Sequence, residues 1–427
     1  MVEIVAIKAI EALDSRGLPT VMCQVSLSDG SVGMSSVPSG KSVGQFEAVE
    51  LRDLDRSRYS GKGVLSAIDN IHKIITPALK GFDGFNQQGV DEVLIGLDEH
   101  PQKANIGANA TLAVSIAIAR AAAASMGMPL FEYLKGEGEM TLPVPFVNVI
   151  NGGAHANNGI DIQEFMIVPQ GFSSFKDAIR CSSEIFHTLT DIYASKGFST
   201  AVGDEGGLAL ALGSSDEALE GLMNAVEKAG YALGSEVSIA LDVAASELYR
   251  DGLYHFEGAT YDSNAWIDRM AQWIDAYPIV SVEDPMSDDD IRGWQSFTSI
   301  FNGQVQTVGD DVFVTHHERL KNGIDQGVAS AILIKPNQIG TLTETMMAIG
   351  VAKSHEYGVM ISHRSGDTED TLIADLSVAV GANQIKTGSM SRGERIAKYN
   401  RLLWIEFMIR KPQFAGKLWR VQNADIR

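Results

Sequence analysis

Six apolar runs in the second half of the chain each end on a residue able to do chemistry. VSIALD ends on Asp242, IVSVE on Glu283, VQTVGD on Asp310, AILIK on Lys335, VMISHR on His363 and Arg364, and NQIK on Lys386. From Asp242 through Glu283, Asp310, Lys335 and His363 to Lys386 the intervals are 41, 27, 25, 28 and 23 residues, each close to one strand-helix unit. The types are ordered too: three carboxylates, a lysine, a His-Arg pair, a second lysine. Hard carboxylate oxygens suit Mg²⁺, and amines beside them suit proton transfer or an anionic substrate. One aspartate at a strand end reads first as a helix cap. Six such ends in series predict a shared site.

The elements that would gather these residues follow from the same runs. Val- and Ile-rich strands alternating with helical stretches predict an α/β fold with a parallel sheet. Ionisable groups at the C-terminal strand ends predict that it closes as a (β/α)8 barrel with its site on that rim.

At 427 residues the chain exceeds a barrel of about 250 residues, so a second domain is expected. From Val2 to about Ser36 the residues alternate like strands, with turns at DSRG and SDGS; from about Lys62 to Tyr133 they read as helices. The division is an N-terminal α+β capping domain over 1–135 and the barrel over 140–427, joined at KGEGEMTLPVP. After Lys411 the periodicity fades, and a partly disordered tail is expected.

A 45% apolar and 21% charged composition is that of a soluble globular protein. The net charge of −20 argues against nucleic acid as the primary ligand, because there is no basic surplus to release counterions. It does not argue against a small anion, since local lysines and metal ions reverse the field. Two cysteines, Cys23 and Cys181, make no disulfide framework and point to a reducing, cytoplasmic compartment. The first residues show no basic leader with an apolar core. The longest apolar stretch, Ala108 to Met126, contains Arg120 and is expected as a buried helix, not a membrane span.

Ser39-Gly40-Lys41-Ser42 is like the end of a phosphate-binding P-loop. The first glycine of that motif would fall on Ser35, and Pro38 removes a backbone donor. A Gly/Ser lid that closes over a site is the better reading.

Longer strings then carry a family resemblance. VGDEGG at 202–207, LDVAAS at 241–246, VEDP at 282–285, GDD at 309–311, IKPNQIGTLTET at 334–345, SHRSGDTEDT at 362–371 and QIKTGSMSR at 384–392 resemble enolase. So do DSRG at 14–17, EAVELRD at 47–53, NVINGGAHA at 148–156 and QEFM at 163–166. The resemblance runs from about residue 3 to 418. It implies an enolase-type barrel with a capping domain and reversible, Mg²⁺-dependent dehydration of 2-phosphoglycerate to phosphoenolpyruvate. It further implies two Mg²⁺ per site, with Asp242, Glu283 and Asp310 on the first and Ser42 on the second. Lys335 is implied as general base, Glu205 as general acid with Glu164 beside it, and His155 near the leaving group. His363, Arg364, Ser365 and Lys386 are implied as substrate contacts. By like-charge repulsion Lys386 is expected to keep Lys335 neutral. The family forms dimers or larger rings, so a homo-oligomer is expected.

The departures sit around the lid. Where the family reads SGASTG, this chain has Ser39-Gly40-Lys41-Ser42-Val43-Gly44, followed by Gln45 and Phe46. Lys41 adds a charge that an anionic substrate would meet. GDEGGFAPN becomes GDEGGLALA. Two further readings stay open: a paralogue acting on a phosphonate, similar to the enolase-like enzymes that form carboxyphosphonoenolpyruvate, and a non-catalytic binding protein of enolase fold.

Overall fold

The computed structural model describes residues 1–41, 44–136, 139–417 and 419. Near the N-terminus, β1 (Ile4–Leu13), β2 (Pro19–Leu27) and β3 (Val32–Ser36) form an antiparallel sheet in that order. Asp14 closes the first turn by accepting from the backbone N–H of Arg16 and Leu18, at 2.8 and 3.0 Å. Alternate side chains of β2 (Val21, Cys23, Val25, Leu27) are buried in the cap's own core, shared with the Ala108–Ser125 helix. Sheet and helix meet at Gly33, where a Cβ would lie 2.1 Å from the Ala117 carbonyl oxygen, so only glycine fits. Among the described helices, Ala108–Ser125 alone is long and apolar enough to cross a membrane, and 83% of it is buried in this fold.

The second core belongs to an eight-stranded closed barrel. Its strands are β4 (Val144–Asn151), β5 (Glu164–Val168), β6 (Ser238–Asp242), β7 (Ile279–Glu283), β8 (Gln306–Gly309), β9 (Ala331–Ile334), β10 (Gly358–Ser362) and β11 (Asn383–Lys386). They neighbour one another in chain order, and β11 closes the ring on β4 by pairing Gln384 with Val144. Six of these strands are the runs read from sequence. The expected parallel sheet needs one correction: β5 is antiparallel to both β4 and β6. Residues 152–163 hold only one short turn of helix, whereas a parallel return is usually made by a full α-helix.

Helix starts carry the caps their sequences announce. Ser174, Ser214, Asp262, Asp290 and Thr341 each accept from a backbone N–H in the first turn that follows. Cap and barrel are tied by Arg120, which grips both carboxylate oxygens of Asp370 at 2.6 Å. Thr111 adds a hydrogen bond to the Gly340 carbonyl at 2.8 Å.

The tail after Lys411, expected to be partly disordered, packs on the barrel where it is described. Gln413–Phe414 pairs with Thr141–Leu142. Trp419, 4% exposed, packs edge-on against Phe146 at 5.4 Å and donates to Gln170 Oε1 at 3.1 Å. Residues 420–427 lie outside the described residues.

Candidate active site

Strand register brings the acids together. Asp242 and Glu283 are partners across β6 and β7, and the reversed β5 starts at the rim, setting Glu164 against Asp242. Of the twelve described candidates, eleven line one cavity of about 300 Å³: Lys41, His155, Glu164, Glu205, Asp242, Asp310, Lys335, His363, Arg364, Ser365 and Lys386. Glu283 is the exception. It lies 2% exposed and is reached through Lys386. Ser42, expected on a second ion, lies outside the described residues, as does Val43.

The three expected metal ligands are held by lysines. Lys386 Nζ stands 2.9 Å from Asp242 Oδ2, 2.9 Å from Glu283 Oε2 and 3.2 Å from Glu164 Oε1. Lys335 Nζ contacts Asp310 Oδ2. Two amides complete the set: Gln163 donates to Asp242 Oδ2 at 3.0 Å and Gln338 to Asp310 Oδ1 at 2.9 Å. Possible ligand atoms lie within 4.8 Å of one another in two groups, His155-Glu164-Glu205 and Asp284-Asp310-Asp311. The donor set is oxygen-rich, and Glu164 Oε2 is buried without a hydrogen-bond partner. Both observations fit a hard divalent cation in this cavity.

Burial and neighbouring acids push Glu283 well above the usual carboxylate range. Burial works the same way on Asp310, but the Lys335 ammonium outweighs it and holds Asp310 low. Burial would lower Lys335, yet the Asp310 contact leaves it raised. The expectation that repulsion from Lys386 keeps Lys335 neutral is not met while Asp310 is its partner. Lys386 titrates well above an ordinary lysine: burial opposes the charge, but the surrounding carboxylates win.

On the far side of the barrel two glutamates diverge. Glu205 sits in the loop between the helices Phe175–Ser195 and Ser215–Lys228, where Gly206, at φ +88°, turns the chain so tightly against Ser391 that a Cβ would be 2.7 Å from its Oγ. Burial works upward on Glu205, but His155 and His363 hold it well below the usual range. Glu164 is pushed up to about 7 by burial and by Glu205. The two carboxyls, side by side, are thus pushed in opposite directions. His155 Nδ1 lies between them, 3.4 Å from Glu164 and 3.6 Å from Glu205, and Asn148 donates to Glu205 at 3.2 Å. Arg395 reaches His363 Nδ1 at 2.6 Å. A guanidinium only donates, so Nδ1 is the acceptor and Nε2 carries the hydrogen.

The expected phosphate contact Arg364 is 5% exposed and donates to Glu47 Oε2 at 2.8 Å and Asn337 Oδ1 at 3.3 Å. Ser365 is 6% exposed beside it, its carbonyl accepting from Arg395 at 2.6 Å. Lys41 pairs with Asp204 Oδ2 at 3.0 Å across the cavity mouth. Phe46 lies under the Arg319 guanidinium, 3.7 Å from its ring centroid. Sequence reasoning did not assign Glu47, Gln163, Gln338 or Asp284, whose oxygens accept from the backbone N–H of Asp310 and Asp311 at 2.9 and 3.0 Å. All four lie inside quoted motif strings, which was the available signal.

A capped (β/α)8 barrel with a carboxylate-rich rim and two buried lysines is the architecture of an enolase-superfamily Mg²⁺-dependent lyase. Residues 4–134 match the family model described as Enolase, N-terminal domain, and residues 139–422 match Enolase, C-terminal TIM barrel domain. The chain belongs to the enolase family.

Proposed function

We propose that the protein catalyses the reversible dehydration of 2-phosphoglycerate to phosphoenolpyruvate. One observation carries the reading. Lys335 directly follows β9, and Glu164 opens β5, four strands away in a ring of eight, with Glu205 supplied by the loop between the helices Phe175–Ser195 and Ser215–Lys228. Base and acid thus face each other across the barrel, as removal of a proton from one carbon and of hydroxide from the next requires.

Asp242, Glu283 and Asp310 would hold Mg²⁺, with Ser42 serving a second ion. When bound, the ions supply the positive charge that stabilises a dianionic aci-carboxylate. The remaining work belongs to side chains. Lys335 takes the alpha proton onto Nζ. With Asp310 and Glu283 engaged elsewhere, the contributions left on that amine are burial, Arg364 and Lys386, all favouring the neutral base. Glu164, carrying a proton near neutral pH, gives it to the departing hydroxyl through the Glu205-His155 cluster, so the group leaves as water. Arg364 and Ser365 receive the phosphate, where the guanidinium fork matches its oxygens. The test is phosphoenolpyruvate formation from 2-phosphoglycerate and Mg²⁺ by the purified protein; a trace rate with intact metal binding would overturn the assignment.

Lys41 favours a second reading, action on a larger or phosphonylated carboxylate. Its ammonium stands at the cavity mouth, 44% exposed, where an additional anionic group would replace Asp204. We also propose a homo-oligomer. Val5, Ile10 and Leu13 on β1 are exposed apolar side chains, and Trp404, Phe407 and Met408 are exposed on the Gly393–Met408 helix, where the Trp404 and Phe407 rings lie 5.4 Å apart. Light scattering reads its mass. Two buried, unpaired cysteines are in keeping with a reducing cytoplasm.

A further inference from the structure

Lys386 has more carboxylate around it than a substrate-binding lysine needs. An ammonium has three donors, and here the hydrogen bonds go to Asp242 Oδ2 and to both oxygens of Glu283, at 2.9 to 3.0 Å, with Glu164 Oε1 3.2 Å away. None of the four side chains exceeds 4% exposure. Buried carboxylates converging this closely without a cation would repel one another strongly, and water cannot reach them to screen the charge. Lys335 does the same for Asp310 one layer away.

We propose that Lys386 is the resident counter-cation of the metal site, and that a divalent cation binds in exchange for its ammonium. The inference rests on the assignment of Asp242 and Glu283 to the metal. Lys386 engages Asp242 Oδ2 and both oxygens of Glu283, so a cation that coordinates through these atoms competes with the ammonium for them. Lys386 then swings off Asp242 and Glu283 with free donors, beside the cavity where an anionic substrate enters. Lys386 is a positioning residue twice over: it keeps the acids gathered before the cation arrives, and it turns to the substrate afterwards. Metal affinity is consequently lower than the carboxylates alone would give, by the strength of the ammonium contacts that must be broken.

The test is calorimetric titration with MgCl₂ alone, without substrate, on the wild type, Lys386→Met, Lys386→Gln, Lys386→Arg and Asp242→Asn. Both neutral variants are expected to bind Mg²⁺ about tenfold tighter or more, and to melt lower than the wild type in chelator but recover when Mg²⁺ is added. Lys386→Arg, which keeps the charge, is expected to stay near the wild type. Neutral variants that fold only with Mg²⁺ also support the exchange, because the ion is then standing in for the ammonium. Neutral variants that bind no tighter, or that stay unfolded at saturating Mg²⁺, overturn it. Asp242→Asn separates the two levels: if it weakens Mg²⁺ while the lysine variants do nothing, the metal site stands and the exchange fails; if Asp242→Asn has no effect, the site assignment fails.

Discussion

His363 turns its Nε2 toward Glu205 Oε2, 3.3 Å away, while Arg395 occupies its Nδ1. Burial, foremost, lowers the imidazole to about 4, so it stays neutral through the physiological range. An unfolded chain takes up that proton near pH 6.5 and the folded one does not. Stability is therefore fully present above about pH 6.5 and drains away as pH falls toward 4. At pH 4.5 the loss amounts to about 2–3 kcal/mol. Urea unfolding of His363→Asn at pH 7, 5.5 and 4.5 is expected to show a correspondingly flatter acid limb. An unchanged slope would remove His363 as its source.

Proton transfer divides between the two sides of the barrel. Lys335→Ala is expected to abolish exchange of the substrate's alpha proton with deuterated solvent. Glu205→Gln and Glu164→Gln are each expected to slow dehydration by about 10²–10⁴-fold while leaving exchange measurable. Wild-type exchange in the Lys335 variant would move the base elsewhere.

Metal binding is expected to need Asp284 as well as the three strand-end acids. Asp284 fixes the Asp310-Asp311 backbone through two N–H contacts, so Asp284→Ala is expected to weaken Mg²⁺ by about 10–100-fold. Asp242→Ala, Glu283→Ala and Asp310→Ala are expected to weaken it further. Calorimetry showing wild-type affinity in all four would discard the site.

The grip of Arg120 on Asp370 holds cap to barrel. Arg120→Met strands a carboxylate that is 8% exposed, at an expected cost of about 3–5 kcal/mol in urea unfolding. Adding Asp370→Asn is expected to return part of that loss. Fully additive effects would show that the pair is not a unit.

Lid chemistry is expected to alter choice of substrate more than stability. The exposed Lys41-Asp204 pair contributes at most about 1 kcal/mol. Combined Lys41→Ala, Val43→Thr and Phe46→His is expected to leave the melting temperature within a few degrees. If the native substrate is a phosphonate, the triple change is expected to raise activity on 2-phosphoglycerate. Indifference toward both substrate classes would rule out a specificity role for these positions.

The barrel strands were legible because burial on both faces leaves continuous Val/Ile runs, as at Ile279–Glu283 and Ala331–Ile334. The reversal of β5 was not, since QEFMIV reads equally well in either direction. Rim acids could be named from strand ends and motif strings. Their partners could not: Glu47 meets Arg364 across 317 residues, beyond the reach of any local period. Nor does a sequence say that Glu164 is pushed up and Glu205 held down. That depends on which carboxylate faces two histidines.

The seam between Val144 and Gln384 has a consequence for synthesis on the ribosome. The cap sheet and its long helix are complete within the first third of the chain and can gather their own core as they emerge. The barrel cannot close until its last strand has left the exit tunnel, so β4 waits with one edge open through most of translation. Domains fold as units during synthesis, and unpaired edges are where nascent chains associate wrongly. The newborn chain is therefore most exposed to misassembly, and most in need of a chaperone, while residues 152–383 are being made.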